Sequence, residues 1–329
     1  MVQSMTSTPT QDVGATVKQI DRLRNAGCEL VRLAVPDMKA ASALREIKSQ
    51  AGIPIIADIH FDYRLALAAI ENGADGLRLN PGNIGGRKEI QEIVAAARYQ
   101  AIPIRIGVNS GSLNRATLRK YGHPTPDAMV ESAMSHVSIL EDLDFHLIKI
   151  SLKSSDVLHM ISAYRLLSEK VDYPLHLGVT EAGGLISGTV KNSLGIGLLL
   201  SEGIGDTIRV SLTRDPVEEV KVGYDILRAL GLRQRGAEII SCPTCGRCQI
   251  DLFTLVETIE NALNQITTPI KVAIMGCVVN GPGEAREADI GIAGGRGQGT
   301  LFKKGRLIKK VPEADLARVL TEEVKKMVT

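Results

Sequence analysis

The middle of the chain reads Leu147-Ile148-Lys149-Ile150-Ser151-Leu152, a short β-rich run in which apolar and polar residues alternate. The segment Ser155 to Glu169 that follows has apolar residues at helical spacing, and another β-rich run, Leu175 to Thr180, comes after it. Strand, helix and strand in this order, separated by turns marked by Gly or Pro, are typical of a parallel β-α-β unit. The stretch therefore predicts a parallel sheet covered by helices.

The same unit recurs from residue 2 to residue 213. The other β-rich runs are Val2 to Met5, Leu30 to Val35, Pro54 to His60, Gly76 to Pro81, Ile104 to Ser110 and Thr207 to Leu212. The segments between these runs have apolar residues at helical spacing, for example Asp62 to Asn72, Lys88 to Tyr99, Pro126 to Leu140 and Asn192 to Gly203. Eight β-α units over about 230 residues predict a (β/α)8 TIM-type barrel, an α/β fold whose usual size is about 250 residues. A doubly wound open sheet is the alternative.

A smaller domain is expected beyond the barrel. A helix, Val217 to Leu230, leads into the short polar connector Gly231 to Gly236. After it we predict strands and helices in an irregular order, namely strands Glu238 to Ser241, Lys271 to Gly276, Asp289 to Ala293 and Thr300 to Val311, and helices Leu252 to Ile266 and Glu313 to Val328. Gly294 to Gly299 joins two of these strands, which indicates a hairpin loop. We expect residues 1–234 to form a substrate-binding barrel and residues 235–329 an α+β domain.

Composition excludes several classes of protein. The chain has 329 residues, with 39 basic against 37 acidic side chains and a formal net charge of +2, which gives no reason to expect nucleic acid or an anionic membrane as a partner. No stretch approaches the roughly 18 apolar residues of a membrane span, and Met1 to Val13 lacks the apolar core of a signal peptide. We therefore expect a cytoplasmic enzyme-sized protein.

Ionisable side chains interrupt the apolar strands. They are Arg32, Asp58, Arg78, Arg105, Lys149, His176 and Arg209. A buried charge is costly unless it is paired or meets a ligand, so we expect these side chains to point into the barrel mouth, at the carboxyl ends of the strands. An internal salt-bridge network with Asp58 and Glu181 is the alternative.

Glycine-rich turns follow three of the strands. They are Asn80 to Gly86, Asn109 to Ser112 and Glu181 to Gly184, and each opens onto a helical segment. Backbone N–H groups at such junctions bind phosphate oxygens, and guanidinium groups match those oxygens bidentately. Together with the strand arginines, the turns predict a diphosphate ligand.

Four of the five cysteines lie in two nearby stretches, Cys242-Pro243-Thr244-Cys245-Gly246-Arg247-Cys248 and Met275-Gly276-Cys277. Cys242 and Cys245 are two residues apart, so one tight turn can aim both thiolates at a metal. The spacing of Cys242, Cys245 and Cys248 favours an iron-sulfur cluster, with structural zinc and a redox disulfide as alternatives. Cys28 is expected to be a packed core residue.

The cysteine stretch, continued by Met275-Gly276-Cys277-Val278-Val279-Asn280-Gly281-Pro282-Gly283-Glu284, resembles the bacterial two-domain 4-hydroxy-3-methylbut-2-enyl diphosphate synthases of the non-mevalonate isoprenoid pathway. The resemblance runs along essentially the whole chain. It implies a [4Fe-4S] cluster held by Cys242, Cys245, Cys277 and Glu284, with Cys248 as a small packed residue, although spacing alone would select Cys248. A carboxylate holds one iron more loosely than a thiolate does, which suits a catalytic cluster.

The resemblance also implies a reaction, the two-electron reductive ring opening of 2-C-methyl-D-erythritol 2,4-cyclodiphosphate to 4-hydroxy-3-methylbut-2-enyl diphosphate with loss of water. It implies a phosphate clamp of Arg32, Arg78, Arg105, Lys149 and Arg209. Hydrogen-bonding groups that orient the substrate are implied at Asp58, His60, Asn80, Asn109, Ser151, His176, Thr180, Ser211 and Asn280. Glu181 is implied as an acid-base residue, while His60 and His176 have the alternative of being satisfied core histidines.

Ferredoxin or flavodoxin is the implied electron donor, and a homodimer with an active site shared between chains is expected because the connector Gly231 to Gly236 spans at most about 20 Å. In one respect the sequence departs from the family pattern, since it begins at the Val2 to Met5 strand whereas family members usually carry a glycine-rich hairpin before it.

Two other functions fit the residues less fully. One is a zinc-containing phosphosugar aldolase or isomerase with a Schiff base at Lys149. The other is a non-catalytic iron-sulfur sensor that binds a phosphorylated metabolite.

Overall fold

The computed structural model describes residues 1–113, 115–277, 283 and 287–328, except for the side chain of Ser112. The chain forms two compact units, Met1–Leu232 and Arg233–Thr329. In the described ranges, no helix is both long enough and apolar enough to cross a membrane.

Within its described residues, the first unit alternates eight strands with helices. The strands are β1 (Gln3–Met5), β2 (Leu30–Ala34), β3 (Ile55–Asp58), β4 (Gly76–Leu79), β5 (Ile104–Asn109), β6 (Ile148–Lys153), β7 (His176–Leu177) and β8 (Thr207–Ile208). The helices are α1 (Val13–Ala26), α2 (Met38–Ala51), α3 (Tyr63–Glu71), α4 (Arg87–Tyr99), α5 (Arg115–Tyr121), α6 (Pro126–Glu141), α7 (Val157–Ser168), α8 (Leu185–Ser201) and α9 (Pro216–Ala229). The eight predicted strands are thus present, with ends that differ by a few residues.

The eight strands close into a barrel. Strands β1 to β6 form one parallel sheet in chain order, and β7 and β8 form a parallel pair. Single parallel bridges, Ile150 to Leu175 and Val2 to Ile208, join the pair to both edges of the larger sheet. The predicted barrel is confirmed, and the open doubly wound sheet is wrong.

Local sequence explains why helices start where they do. Carboxylates precede several of them, and the side chains of Asp37 and Asp156 accept hydrogen bonds from the backbone N–H groups of Ala40 and His159. Each such cap stabilises a helix by about 1 kcal/mol. Helix α8 begins at Leu185, seven residues before the predicted start, because the turn ending at Gly184 leads directly into it.

The second unit is an α+β sheet. Its elements are β9 (Ala237–Ser241), α10 (Leu252–Leu263), β10 (Ile270–Met275), β11 (Ile290–Gly295), β12 (Gln298–Lys303), β13 (Arg306–Pro312) and α11 (Leu316–Val328). The sheet order is β13-β12-β11-β10-β9, with β9, β10 and β11 parallel and β11, β12 and β13 antiparallel. The single strand predicted from Thr300 to Val311 is wrong, because Lys304 and Gly305 take positive φ angles of 47° and 74° and turn the chain into a hairpin.

Candidate functional site

The interior of the barrel is polar where such interiors are usually apolar. In β5, Ile104 and Ile106 face the helices, so Arg105 and Gly107 point inward, and the same alternation applies to each strand. Because alternate strands share a layer, the strand register sorts the inward side chains by height. From the amino-terminal floor to the carboxyl-terminal mouth, the layers hold Leu30, Lys149 and Thr207; then Gln3, Ile56, Arg105 and His176; then Arg32, Arg78, Ser151 and Arg209; then Met5, Asp58, Gly107 and Gly178; and then Asn80, Lys153 and Ser211.

Asp58 balances part of the positive charge. Its carboxylate lies 3.4 Å from Arg78 Nη1 and 3.7 Å from Arg32 Nε. Burial alone would raise the pKa of Asp58, but a hydrogen bond from His60 and the charges of both arginines outweigh it and hold that pKa below its usual range. Asp58 is therefore an ionised acceptor at neutral pH and cannot act as a proton donor.

Sequence reasoning missed a second buried acid, Glu219 in the first turn of α9. It is 4% exposed, accepts a hydrogen bond from Ser4 Oγ at 3.0 Å and lies 3.4 Å from Arg209 Nη2. Glu181, the second acid of the alternative salt-bridge network and the implied acid-base residue, lies on an exposed turn with a φ angle of 53°. A helix residue such as Glu219 carries no strand-alternation signal, so periodicity could not find it.

Lys149 does not lie in the mouth, which corrects its expected placement. It starts the inward face of β6 and lines a small cavity with Leu30 and Pro103 at the amino-terminal ends of the strands. The inward lysine at the opposite end of β6 is Lys153, which the sequence analysis did not select. Lys153 follows Lys149 and Ser151 at a spacing of two residues, and this alternation was the signal that could have found it.

Lys153 is a buried lysine that no described acid contacts. Its side chain makes no hydrogen bond or ion pair with any described residue, and it is only 7% exposed. Burial and then the charges of Arg209 and Arg32 lower its pKa well below the usual value for lysine. An anionic ligand at the mouth would reverse this cost, because it favours the charged ammonium.

Two inward glycines make room for the long cations. A Cβ atom on Gly107 would lie 2.5 Å from Arg78 Nε, and one on Gly178 would lie 2.9 Å from Lys153 Nζ and 2.3 Å from the carbonyl oxygen of Arg209. Real Cβ atoms do not approach other atoms so closely. The layer of Met5, Asp58, Gly107 and Gly178 is therefore an open level through which arginine and lysine side chains extend.

The expected hydrogen-bonding residues occupy different depths. Asn80 Oδ1 accepts from the backbone N–H of Gly107 at 2.9 Å, and Ser211 Oγ donates to the Val179 carbonyl at 2.7 Å. Ser151 Oγ lies 3.3 Å from the Ile106 carbonyl, within the arginine layer. These groups hold the wall in shape and still have lone pairs or protons for a ligand.

The two histidines differ sharply in exposure. His60 Nε2 lies 3.2 Å from Arg78 Nη1, and 54% of its side chain is exposed at the mouth. His176 is fully buried near the floor, where Nδ1 lies 2.8 Å from Thr207 Oγ1 and burial lowers its pKa well below the usual value. His176 is therefore placed as a neutral core group below the mouth. Asn109 is the last residue of β5, and Thr180 lies three residues after the end of β7; both are half-buried.

In the second unit, the cysteines differ in their contacts and exposure. The backbone N–H of Gly276, next to Cys277, donates a hydrogen bond to Cys242 Sγ at 3.3 Å. Cys245 is exposed and Cys277 is half-buried. Cys248 Sγ instead donates to the Ile250 carbonyl at 3.3 Å, and a Cβ on Gly276 would lie 2.5 Å from it. Cys248 is thus packed against backbone as a thiol.

The expected residues Asn280 and Glu284 lie outside the described residues. Among the residues that are described, no three His, Cys, Asp or Glu side chains form a ready metal site. The donor set nevertheless suits an iron-sulfur group, because Cys242 follows β9 and Cys277 follows the neighbouring strand β10, with Cys245 in the same loop as Cys242.

Comparisons with known proteins identify the same family for both parts of the chain. The family model described as the GcpE TIM-barrel domain matches residues 1–224, and that of the GcpE protein C-terminal domain matches residues 238–326. A Geobacter sulfurreducens protein named 4-hydroxy-3-methylbut-2-en-1-yl diphosphate synthase (flavodoxin) is 63% identical over 99% of this chain and 92% of its own length. Proteins of the same name from Thermodesulfovibrio yellowstonii and Lawsonia intracellularis are 60% and 61% identical, over 99% and 100% of this chain and 93% and 92% of their own lengths.

Proposed function

This chain belongs to the GcpE family, and from that membership we propose that it forms 4-hydroxy-3-methylbut-2-en-1-yl diphosphate, the product for which its relatives are named. The substrate is the cyclic diphosphate 2-C-methyl-D-erythritol 2,4-cyclodiphosphate, which is reduced by two electrons and loses water. The chain is thus an iron-sulfur oxidoreductase of isoprenoid precursor synthesis. Anaerobic turnover of the cyclic diphosphate tests this function.

The excess of positive charge inside the barrel is the observation that carries the proposal. Its cationic side chains are Arg32, Arg78, Arg105, Lys149, Lys153 and Arg209, and the buried carboxylates that contact them are Asp58 and Glu219. Among the described residues the cationic side chains outnumber these carboxylates, and a diphosphate at the mouth would compensate the excess that Arg32, Arg78, Lys153 and Arg209 leave there. The charge thus supports a diphosphate clamp of Arg32, Arg78, Lys153 and Arg209, with Arg105 beneath them.

The rim residues orient the rest of the substrate. His60, Asn80, Asn109, Thr180 and Ser211 surround the diphosphate position and offer hydrogen bonds to hydroxyl groups, with Asn280 proposed as a further partner. Because Asp58 stays ionised, it accepts hydrogen bonds and cannot protonate the departing oxygen. Glu181, exposed on the turn after β7, is the proposed acid-base residue.

We propose that Cys242, Cys245, Cys277 and Glu284 hold a [4Fe-4S] cluster. When bound, such a cluster supplies electrons one at a time. The support from the structure is the hydrogen bond to Cys242 Sγ and the packed thiol of Cys248. The zinc aldolase alternative is disfavoured, since Lys149 lies at the barrel floor and cannot meet a substrate at the mouth.

The electron donor is proposed to be flavodoxin, which the names of the relatives specify. The hairpin of β12 and β13 carries Lys303, Lys304, Lys309 and Lys310, and β13 is the exposed edge of its sheet. A basic edge of this kind suits an acidic electron carrier, because complementary charge steers encounter.

We also propose a homodimer, supported by an apolar stripe on α8. Ile186, Val190, Leu194 and Leu198 recur every four residues and are 82%, 54%, 51% and 43% exposed. Residues at this spacing share one helix face. An uncharged stripe is complementary to itself, so a two-fold axis would bury the stripes of two chains against each other.

Mixing two impaired chains should restore activity if the active site is shared between subunits. Cys277→Ser removes a cluster ligand and should be inactive alone, and Lys153→Met removes a clamp residue and should turn over slowly at limiting substrate. After subunit exchange, a mixed dimer has one site with an intact barrel and an intact cluster. Product formation at limiting substrate measures this complementation, and a rate no higher than that of Lys153→Met alone, despite exchange confirmed by native mass spectrometry, would exclude a shared site.

A further inference from the structure

A small cavity lies at the floor of the barrel, at the end opposite to the mouth. It is lined by the polar side chains Gln3, Arg105 and Lys149 and by the apolar Leu30, Ile56 and Pro103. Its volume is about 20 Å³. A space of about 10–15 Å³ is enough for one water-sized particle, so the cavity holds a single small ion or a water molecule but excludes phosphate.

The polar atoms around this cavity are hydrogen-bond donors. Arg105 Nη1 donates to Gln3 Oε1 at 3.2 Å, which uses the amide oxygen and leaves Gln3 Nε2 as a donor. Gln3 Nε2, Arg105 Nε and Arg105 Nη2 are buried and have no partner among the described residues. Arg105 is only 5% exposed, so bulk water does not satisfy these atoms.

No described carboxylate forms an ion pair with Arg105 or Lys149 at the floor, and the charge of Asp206 offsets only part of the drop in the pKa of Lys149. Lys149 forms no ion pair with any described residue, and Asp58, the acid that faces the barrel interior, lies two layers above Arg105 and is already paired with Arg32 and Arg78. Burial lowers the pKa of both Arg105 and Lys149. The neighbouring strands therefore leave two cations facing one cavity.

We propose that the barrel floor binds one small monovalent anion, of the size of chloride or bromide, between Arg105, Gln3 and Lys149. A water molecule would also accept from these donors, but it is neutral and would leave the positive charges around the cavity without a counter-ion. A halide ion accepts hydrogen bonds from several donors at once, and it has no hydrogen that would need an acceptor. Its charge offsets the repulsion between Arg105 and the arginine layer above, so the site holds Arg105 in place under the diphosphate clamp.

Crystals of the full chain grown with sodium bromide test the site directly. We expect a bromine anomalous peak within hydrogen-bond reach of Arg105 and Lys149, separate from any bromide at the mouth. The Lys149→Met variant should lose the floor peak, and the matched Lys153→Met variant, changed on the same strand at the mouth, should keep it. A dry floor, or one that contains only water in the wild-type chain at high bromide, would overturn the proposal.

Thermal unfolding gives a second readout that does not depend on crystals. At constant ionic strength, replacing gluconate by chloride should raise the unfolding midpoint of the wild-type chain, because a ligand that binds only the folded state stabilises it. The chloride-dependent increase should disappear in Lys149→Met and persist in Lys153→Met. An equal increase in all three proteins would contradict the floor site and assign the effect to anions bound elsewhere.

Discussion

Replacing Cys242, Cys245 or Cys277 by serine should abolish cluster assembly, whereas Cys248→Ser should retain it. A serine hydroxyl is a poor ligand for iron compared with a thiolate. The backbone hydrogen bond from Gly276 to Cys242 Sγ fits a ligand, while the hydrogen bond from Cys248 Sγ to the Ile250 carbonyl fits a packed thiol that serine can mimic. Iron and sulfide content after anaerobic reconstitution measures the outcome.

The four serine variants control for one another, since each changes one atom. Their far-ultraviolet circular dichroism should match that of the wild-type chain, because most of the fold lies outside the cysteine loops. An iron-free Cys248→Ser protein would show that the spacing of the three close cysteines, and not the family pattern, determines the ligands. Full iron content in Cys277→Ser would equally reject the proposed set.

Lys153→Met should weaken binding of the cyclic diphosphate by about tenfold or more, because a charge-assisted hydrogen bond contributes about 1.5–3 kcal/mol. The matched control is Lys149→Met, which removes the same charge from the floor end of the same strand and should leave the dissociation constant near the wild-type value. Calorimetric titration of each protein with substrate, without reductant, measures binding apart from turnover.

The thermal unfolding midpoint of Lys153→Met distinguishes the loss of a substrate contact from misfolding of the variant. A buried ammonium without an acid partner is costly, so Lys153→Met should unfold at the same temperature as the wild-type chain or at a higher one. Weaker binding together with an undiminished unfolding midpoint would support the clamp. If Lys149→Met weakened binding as much as Lys153→Met does, the separation of floor and mouth derived from the strand register would be wrong.

Alternation along the strands was enough to predict the barrel but not the height of each side chain. Arg78, Arg105 and Lys149 are partners in adjacent strands, yet they lie in three different layers because the strands are tilted and staggered. The alternation of side chains along a strand places Lys149, Ser151 and Lys153 on one face of β6, but it does not show which of them reaches the mouth. The closure of the barrel decides that, and closure is a property of all eight strands.

The placement of other residues could not be predicted because it depends on packing between segments that are distant in the sequence. Glu219 neutralises part of the charge of Arg209 from a helix, and its burial against Ser4 joins segments more than 200 positions apart. The hairpin at Lys304 and Gly305 was missed because it requires a positive φ angle at Lys304, and such an angle is rare for a residue other than glycine. By contrast, the packed role of Cys248 followed from the family pattern and agrees with its contacts.

Anaerobic turnover tests the central claim most directly. Chain reconstituted with iron and sulfide is supplied with the cyclic diphosphate and reduced flavodoxin, and both product and flavodoxin oxidation are followed. We predict one molecule of 4-hydroxy-3-methylbut-2-en-1-yl diphosphate for every two electrons consumed, with no product from the Cys277→Ser chain and, at limiting substrate, product formation by the Lys153→Met chain that is slower by about tenfold or more. Unchanged substrate with the fully reconstituted wild-type chain, or equal product formation by Cys277→Ser, would contradict the proposed function.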